Sequence, residues 1–159
     1  MKRTPLTSKG FDQLKEELHL LKTQERPAVI QLIAEARAHG DLSENAEYDA
    51  AKEKQSMLEG RIQDLENKIS TAEIINPTEL QRDGRVVFGV IVTFIDLNTD
   101  EQFKYQIVGE DEANIREGKI SYVSPIARAL IGKIEDDITE FDIPSGKREV
   151  QIVKVEYEV

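Results

Sequence analysis

His39-Gly40-Asp41-Leu42-Ser43-Glu44-Asn45-Ala46-Glu47-Tyr48 is a short polar break between two long stretches that both carry a helical repeat. Gly40 suits the end of the first helix, where a single left-handed residue stops the ladder. Asp41 suits the N-cap of the second, with Glu44 three residues on. A break this short reverses the chain, so the two helices must pack antiparallel as a hairpin with this stretch at its tip. Asp41, Glu44 and Glu47 recur at three-residue steps, which in a first helical turn brings their carboxylates towards one side. Two readings stand at this point. The acids either satisfy free amides and complement the helix dipole, or they hold a hard cation such as Mg²⁺ in a partner's site. Such an ion takes oxygen donors, commonly only one or two of them carboxylates.

On the N-terminal side the helix is predicted to start at Thr7, a good N-cap, with Leu6 and Phe11 placed to form a hydrophobic staple. Phe11, Leu14, Leu18 and Leu21 have the spacing of a coiled-coil seam. The pattern then slips: Glu25 takes the next seam position, and the apolar set resumes at Val29, Leu32 or Ile33, and Ala36. Steps of four residues in succession resemble a stutter, and Pro27 lies within it, so a kink in one continuous helix is expected. On the C-terminal side Ala51, Gln55, Leu58, Ile62, Leu65, Ile69 and Ala72 alternate by four and three, while Lys54, Arg61, Asp64 and Lys68 form the solvated face. About 30 residues per helix at 1.5 Å each give an arm of roughly 45 Å.

Asn76-Pro77 closes the helical region, and the period then changes to that of strands. Residues 85 to 95 and 103 to 108 read as a hairpin around Asn98-Thr99-Asp100, followed by an acidic loop at 109 to 114 and a short strand at 119 to 123. Ser124-Pro125 offers an N-cap with proline at the first helical position of a short helix that Gly132 ends. Residues 138 to 143 and 150 to 157 make a second hairpin across Pro144-Ser145-Gly146-Lys147. The expected fold class is α+β: a long antiparallel coiled-coil hairpin over residues 1 to 76, with an acidic tip at 40 to 47, and an antiparallel sheet domain with one short helix over 77 to 159.

A hydrophobic share of 39% is low for one compact core in 159 residues, and 33% charged residues suit long solvated helices. The absence of cysteine excludes disulfides, zinc–thiolate sites and thiol nucleophiles and is compatible with a reducing cytoplasm. No apolar leader follows Met1-Lys2-Arg3-Thr4-Pro5, and no membrane span is expected. The net charge of −10 argues against free nucleic-acid binding by bulk electrostatics. Residues 1 to 75 hold 11 Lys+Arg against 14 Asp+Glu, a net of −3, which leaves −7 to the sheet half. Contact with nucleic acid must therefore come from a local basic spot or through a partner. Arg37, with Lys52 and Lys54, is such a spot beside the tip, although exposed cations on helices are also ordinary. His19 and His39 have no nucleophile or metal-ligand spacing, Gly84 and Gly89 fit a turn and a bulge, and no phosphate-cradling glycine loop is present. Independent catalysis is not expected.

The run from His39 through Glu53, the opening Pro5-Leu6-Thr7-Ser8-Lys9-Gly10 and the later Ser124-Pro125-Ile126-Ala127-Arg128-Ala129-Leu130-Ile131-Gly132-Lys133 strongly resemble the shared stretches of the bacterial Gre transcript-cleavage factors, in order along the whole chain. The resemblance implies that the sheet domain is FKBP-like and docks at the rim of the RNA polymerase secondary channel, with the coiled coil inside it. It implies that the factor stimulates the polymerase's own cleavage of the nascent RNA 3′ end after backtracking, as an accessory and not an enzyme. On this basis Asp41 would help hold a weakly bound Mg²⁺ shared with the polymerase, and Glu44 would orient the attacking water or assist that metal. Arg37 and Lys52 would touch the RNA, Ser124 and Pro125 would lie in the docking loop, and Tyr48 would support the tip. A cytoplasmic monomer with no cofactor bound stably on its own is expected. Two other classes stay open: a secondary-channel inhibitor of polymerase, and a coiled-coil adaptor or FKBP-like chaperone. Asp41 with Glu44 in the intact signature favours cleavage over inhibition, and the sheet half gives no signal of an aromatic-lined pocket.

Overall fold

A computed structural model describes residues 3–40 and 45–158. Asp41, Leu42, Ser43 and Glu44 lie outside the described residues. The chain divides into two units, Phe11–Ala72 and Arg3–Gly10 together with Glu73–Val159. The sequence expectation set the boundary at 76/77 and kept the first ten residues with the helices. Residues 3–10 group with the sheet unit because β1, Thr4–Thr7, pairs with β2, Ala72–Ile75. Leu6 and Thr7 are buried there. Ala72, assigned from sequence to the helical seam, is the first residue of β2.

Thr7 is the N-cap of α1 (Ser8–Leu20): its Oγ1 accepts the Gly10 N–H at 3.0 Å. α1 continues through a π turn, Leu21–Glu25, into α2, Arg26–Arg37, with helical backbone at both junctions. The Arg26 N–H donates to the Leu21 carbonyl five residues back. The seam explains why. From Leu21 to Ala36 it takes one residue more than two heptads, and a π turn absorbs one extra residue without breaking the helix. Pro27, which cannot donate to the ladder, sits in the first turn of α2. Val29, Ile33 and Ala36 are buried and Leu32 is exposed, which resolves the choice between Leu32 and Ile33.

α3, Ala46–Ser70, buries Ala51, Ile62 and Leu65 and half-buries Gln55, Leu58 and Ile69, as its repeat requires. Pairs across the hairpin run in opposite numerical directions: Arg37 with Tyr48, Arg26 with Glu59, Lys22 with Glu66. That is antiparallel packing. Arg26 meets Glu59 with two parallel bonds of 2.9 and 2.8 Å. The hydrogen bond from Arg26 holds the Glu59 carboxyl below its usual range and raises the guanidinium further. Arg61 binds Glu17 at 2.7 Å and Asp64 at 3.1 Å.

The sheet unit has five strands in the order β5-β4-β3-β7-β6: β3 Ile91–Asp96, β4 Gln102–Val108, β5 Lys119–Ser121, β6 Ile138–Ile143 and β7 Gly146–Glu156. The β3–β4, β3–β7 and β6–β7 pairs are antiparallel and β4–β5 is parallel, so the sheet is mixed where a purely antiparallel one was expected. Residues 85 to 90, expected as strand, are irregular. Gly89 at φ +95° turns the chain, while Val86 and Val90 fill the core. In β7 the register shifts opposite Thr93 and Phe94, leaving Val153 as the extra residue. The bulge resets the alternation, so Val150, Ile152 and Val155 all face inward. The short helix α4, Pro125–Leu130, lays Ala127 and Leu130 on the core beside Phe94, Ile107 and Ile152. Among the described residues no helix is long and apolar enough to cross a membrane.

Candidate functional site

The hairpin tip is built from two helix ends. α2 stops after Arg37; the Gly40 N–H reaches the Arg37 carbonyl at 3.2 Å, and Gly40 takes φ +100°, the left-handed stop its sequence suggested. α3 does not start at Asp41. Its N-cap is Asn45, whose Oδ1 accepts the Tyr48 N–H at 3.0 Å. The Asn45 Nδ2 donates to the Ala36 carbonyl at 2.6 Å, so one amide holds both helix ends together. Sequence reasoning missed this residue because the Asp41-x-x-Glu44 pattern competed with it. The signal was present, since asparagine is among the best N-caps and Asn45 immediately precedes the helical run.

Of the three acids expected to share one helical turn, only Glu47 is among the described residues; it lies in the first turn of α3 with Asp49, and its carboxylate is 3.2 Å from Nδ1 of His39. Asp41 and Glu44, the predicted catalytic and metal-holding pair, lie outside the described residues, in the connection between Gly40 and Asn45. Their donor chemistry, two carboxylates, fits a hard divalent cation. No group of three or more potential ligands among the described residues could hold a metal.

Arg37 and Lys52 are brought to one side of the hairpin, lining a groove with Ile30, Ile33, Ala34 and Gln55. The Arg37 guanidinium lies 5.9 Å from the centre of the Tyr48 ring, which packs on the Val29, Ile33 and Ala51 cluster. Tyr48 thus props Arg37 and joins the tip to the seam. Lys54, grouped with these cations from sequence, lies instead in a separate groove with His39, Glu47 and Leu32.

In the sheet unit Ser124 caps α4, its Oγ accepting the Ala127 N–H at 3.2 Å, with Pro125 at the first helical position. Both line an apolar groove with Ile115, Ile120, Ile126, Phe141 and Pro144. The groove shares Ile126, Phe141 and Ile143 with a smaller hollow formed by Phe94, Phe103, Tyr105 and Arg148. An aromatic-lined pocket therefore exists where none was expected. Its rings come from β3, β4 and β6, with Phe94 stacked on Phe103 at 5.4 Å. At its edge Arg148 Nε lies 3.2 Å from the buried Asp96 carboxylate.

Two family models match the chain, "Transcription elongation factor, N-terminal" over residues 4–74 and "Transcription elongation factor, GreA/GreB, C-term" over residues 81–157. The chain belongs to the GreA/GreB family of transcription elongation factors. Among curated relatives, the GreA transcription elongation factor of Neisseria meningitidis is 59% identical over 99% of both chains. That of Methylococcus capsulatus is 56% identical over 99% of both. A solved structure, the GreA factor homolog 1 protein of Thermus thermophilus, is 28% identical, covers 98% of this chain and 99% of its own, and superposes with a TM-score of 0.43. The GreA/GreB matches span both units, so the helical hairpin and the mixed sheet with α4 are together the family's architecture.

Proposed function

We propose that this chain is a cytoplasmic accessory factor of RNA polymerase. Its hairpin enters the polymerase's secondary channel and stimulates the enzyme's own cleavage of the 3′ end of backtracked nascent RNA, so that arrested elongation resumes. The observation that carries this reading is the Asn45 cap. Asn45 fills the N-cap of α3, the role that the sequence first offered to Asp41. That leaves the reading of Asp41 and Glu44 as oxygen donors to a partner's site, which their chemistry suits.

Asp41 would hold a cation together with the polymerase's own ligands, and Glu44 would orient the attacking water. A divalent ion there supplies activation of water and stabilisation of charge on the phosphoryl oxygens. Arg37, braced on Tyr48, and Lys52 on the same face fit phosphates of the extruded RNA. The groove at Ser124 and Pro125 is the docking face, and the adjoining aromatic hollow suits one apolar side chain of the polymerase rim. Because the arm delivers ligands and the host performs the chemistry, the factor is inert alone and works as a monomer.

The test is a stalled, backtracked polymerase carrying end-labelled RNA, with and without the factor. Asp41→Asn is expected to abolish stimulated cleavage and leave affinity, measured by competition, nearly unchanged. Cleavage by this variant at the unaltered rate would refute the metal-holding role. Ser124→Ala with Pro125→Ala is expected to weaken affinity, and the loss should be overcome at high factor concentration.

A further inference from the structure

The hollow of the sheet unit is walled by rings and edged by a cation. The β3–β4 register sets Phe94 opposite Phe103 and Val92 opposite Tyr105, so the three rings share one face of the sheet. Their centres lie 5.4, 5.9 and 6.1 Å apart. Phe94 is buried, while Phe103 and Tyr105 stay partly exposed. Ile126 of α4 and Phe141 and Ile143 of β6 complete the wall around a volume of about 110 Å³. A cavity of about 150 Å³ accommodates benzene, so this one suits a branched aliphatic side chain better than a ring.

Arg148 is the one charged residue lining the hollow. Its Nε lies 3.2 Å from the carboxylate of Asp96, and Asp96, itself 2% exposed, is fixed by the amides of Asn98 and Thr99. Among the described residues the guanidinium has no other partner, and the side chain is 36% exposed. Anchored through Nε, it keeps the donors of both terminal nitrogens as a preset fork of the kind that pairs with a carboxylate. The surroundings restrict where an acid can settle. Residues 76 to 159 hold 10 Lys+Arg against 17 Asp+Glu. In the adjoining groove Lys119 already faces Glu117 at 3.7 Å, and Asp142 repels an incoming anion.

We propose that Arg148 is a specificity-determining residue of the docking face: the hollow takes a branched aliphatic side chain of the polymerase, and the Arg148 fork takes a carboxylate carried beside it on the same segment. The inference rests on the docking reading above. Ile126, Phe141 and Ile143 line both the hollow and the groove at Ser124 and Pro125, so one segment lying in the groove reaches both. An aliphatic side chain gains by leaving water for the rings. Its neighbouring carboxylate loses its hydration there and needs the fork in return. Because Asp96 already holds the guanidinium, little side-chain freedom is lost when the acid arrives. A segment with an amide in place of that acid fills the hollow and leaves the fork without a charged partner.

The experiment measures binding of the full chain to core RNA polymerase by competition with labelled parent factor, for Arg148→Met, Arg148→Lys and Ile143→Phe. Arg148→Met keeps the apolar stem and is expected to weaken binding by about tenfold or more. The parent's affinity should also fall more steeply with added salt than that of this variant. Arg148→Lys keeps the charge without the fork and should lose less, yet measurably. Ile143→Phe fills the hollow and should weaken binding with the salt dependence unaltered. Asp96 keeps its turn amides in every variant, and thermal unfolding checks that the sheet unit is intact. Should Arg148→Met fail to fold, Arg148→Lys, with a cation still beside Asp96, carries the comparison. Parent-like affinity and salt dependence in Arg148→Met would overturn the assignment, as would parent-like affinity in Arg148→Lys or Ile143→Phe. Loss of binding in Ser124→Ala with Pro125→Ala but not in Arg148→Met would sink the role of Arg148 and leave the docking reading standing. The converse would support Arg148 and sink the assignment of Ser124 and Pro125. A parent that does not bind polymerase would overturn both. Self-association of the factor alone, abolished by Arg148→Met, would give the hollow to a second copy and overturn the proposal.

Discussion

Asn45 is the residue whose replacement most directly tests how the tip is held. Its side chain does two jobs, capping α3 through Oδ1 and bonding the Ala36 carbonyl through Nδ2. Losing an N-cap costs about 1 kcal/mol, and the net worth of the second hydrogen bond is about 1 kcal/mol. Asn45→Ala should thus destabilise the tip by about 2 kcal/mol. Asn45→Ser keeps an N-cap oxygen but cannot reach across, and should cost about half as much. Asn45→Asp is the decisive variant. Its charge suits the helix N-terminus by about 0.3–1 kcal/mol, yet it sets an acceptor against the Ala36 carbonyl, a penalty of about 1–3 kcal/mol. Native-state hydrogen exchange at the Tyr48 amide reads these terms locally, where a global melt would dilute them. Protection should fall by about thirtyfold in Asn45→Ala, at tenfold per 1.4 kcal/mol. Protection in Asn45→Asp equal to or above that of the parent would show that only the cap matters and that the two helix ends are not tied through this amide.

Three further outcomes follow from the same structure. Leu65, fully buried in the seam, should cost about 2–5 kcal/mol when replaced by alanine, measured by denaturant unfolding with unchanged slope; a cost under about 1 kcal/mol would mean the two helices separate at that level. The Arg26–Glu59 pair holds the Glu59 carboxyl below its usual range, so its contribution is present above the unfolded-state value and is lost as pH falls through the depressed folded one. The melting-temperature difference between the parent and Glu59→Gln should therefore shrink towards zero in acid, and a difference that grows on acidification would contradict the pairing. Asp96 accepts the turn amides of Asn98 and Thr99 at 2.8 and 3.2 Å and pairs with Arg148; Asp96→Ala should cost roughly 3 kcal/mol in thermal unfolding, and a near-neutral effect would show that water replaces the carboxylate.

Much of this architecture is written in local periodicity, and what escaped is what periodicity cannot express. The α3 seam was legible because each of its positions repeats at four and three residues, and burial follows that pattern from Ala51 to Ile69. The slip after Leu21 was visible, but a seam one residue too long admits both a kink and a π turn; only the Arg26-to-Leu21 bond distinguishes them. β1 and β2 are four residues each, too short to carry an alternation, and Pro5 within β1 argues against a strand. Alternation also carries no direction, so the parallel pairing of β4 with β5 was out of reach. The aromatic hollow was hidden for a similar reason: Phe94, Phe103 and Phe141 are far apart in sequence and meet only through the strand order.

The tip combines both situations, and there the competing rules of local structure can be weighed against one another. An Asp-x-x-Glu run at a helix start is ordinarily capping chemistry, and on sequence alone that explanation of Asp41 and Glu44 stood beside the metal-holding one. Asn45 changes the balance. It supplies the oxygen that the third amide of α3 needs, and Glu47, facing His39, supplies the negative charge its dipole favours. The N-cap role that the sequence first offered to Asp41 is therefore filled by Asn45. Sequences that set aside a local rule without structural gain tend to do so where function requires it. The metal-holding role proposed for Asp41 and Glu44 is then the reading that Asp41→Asn puts to the test.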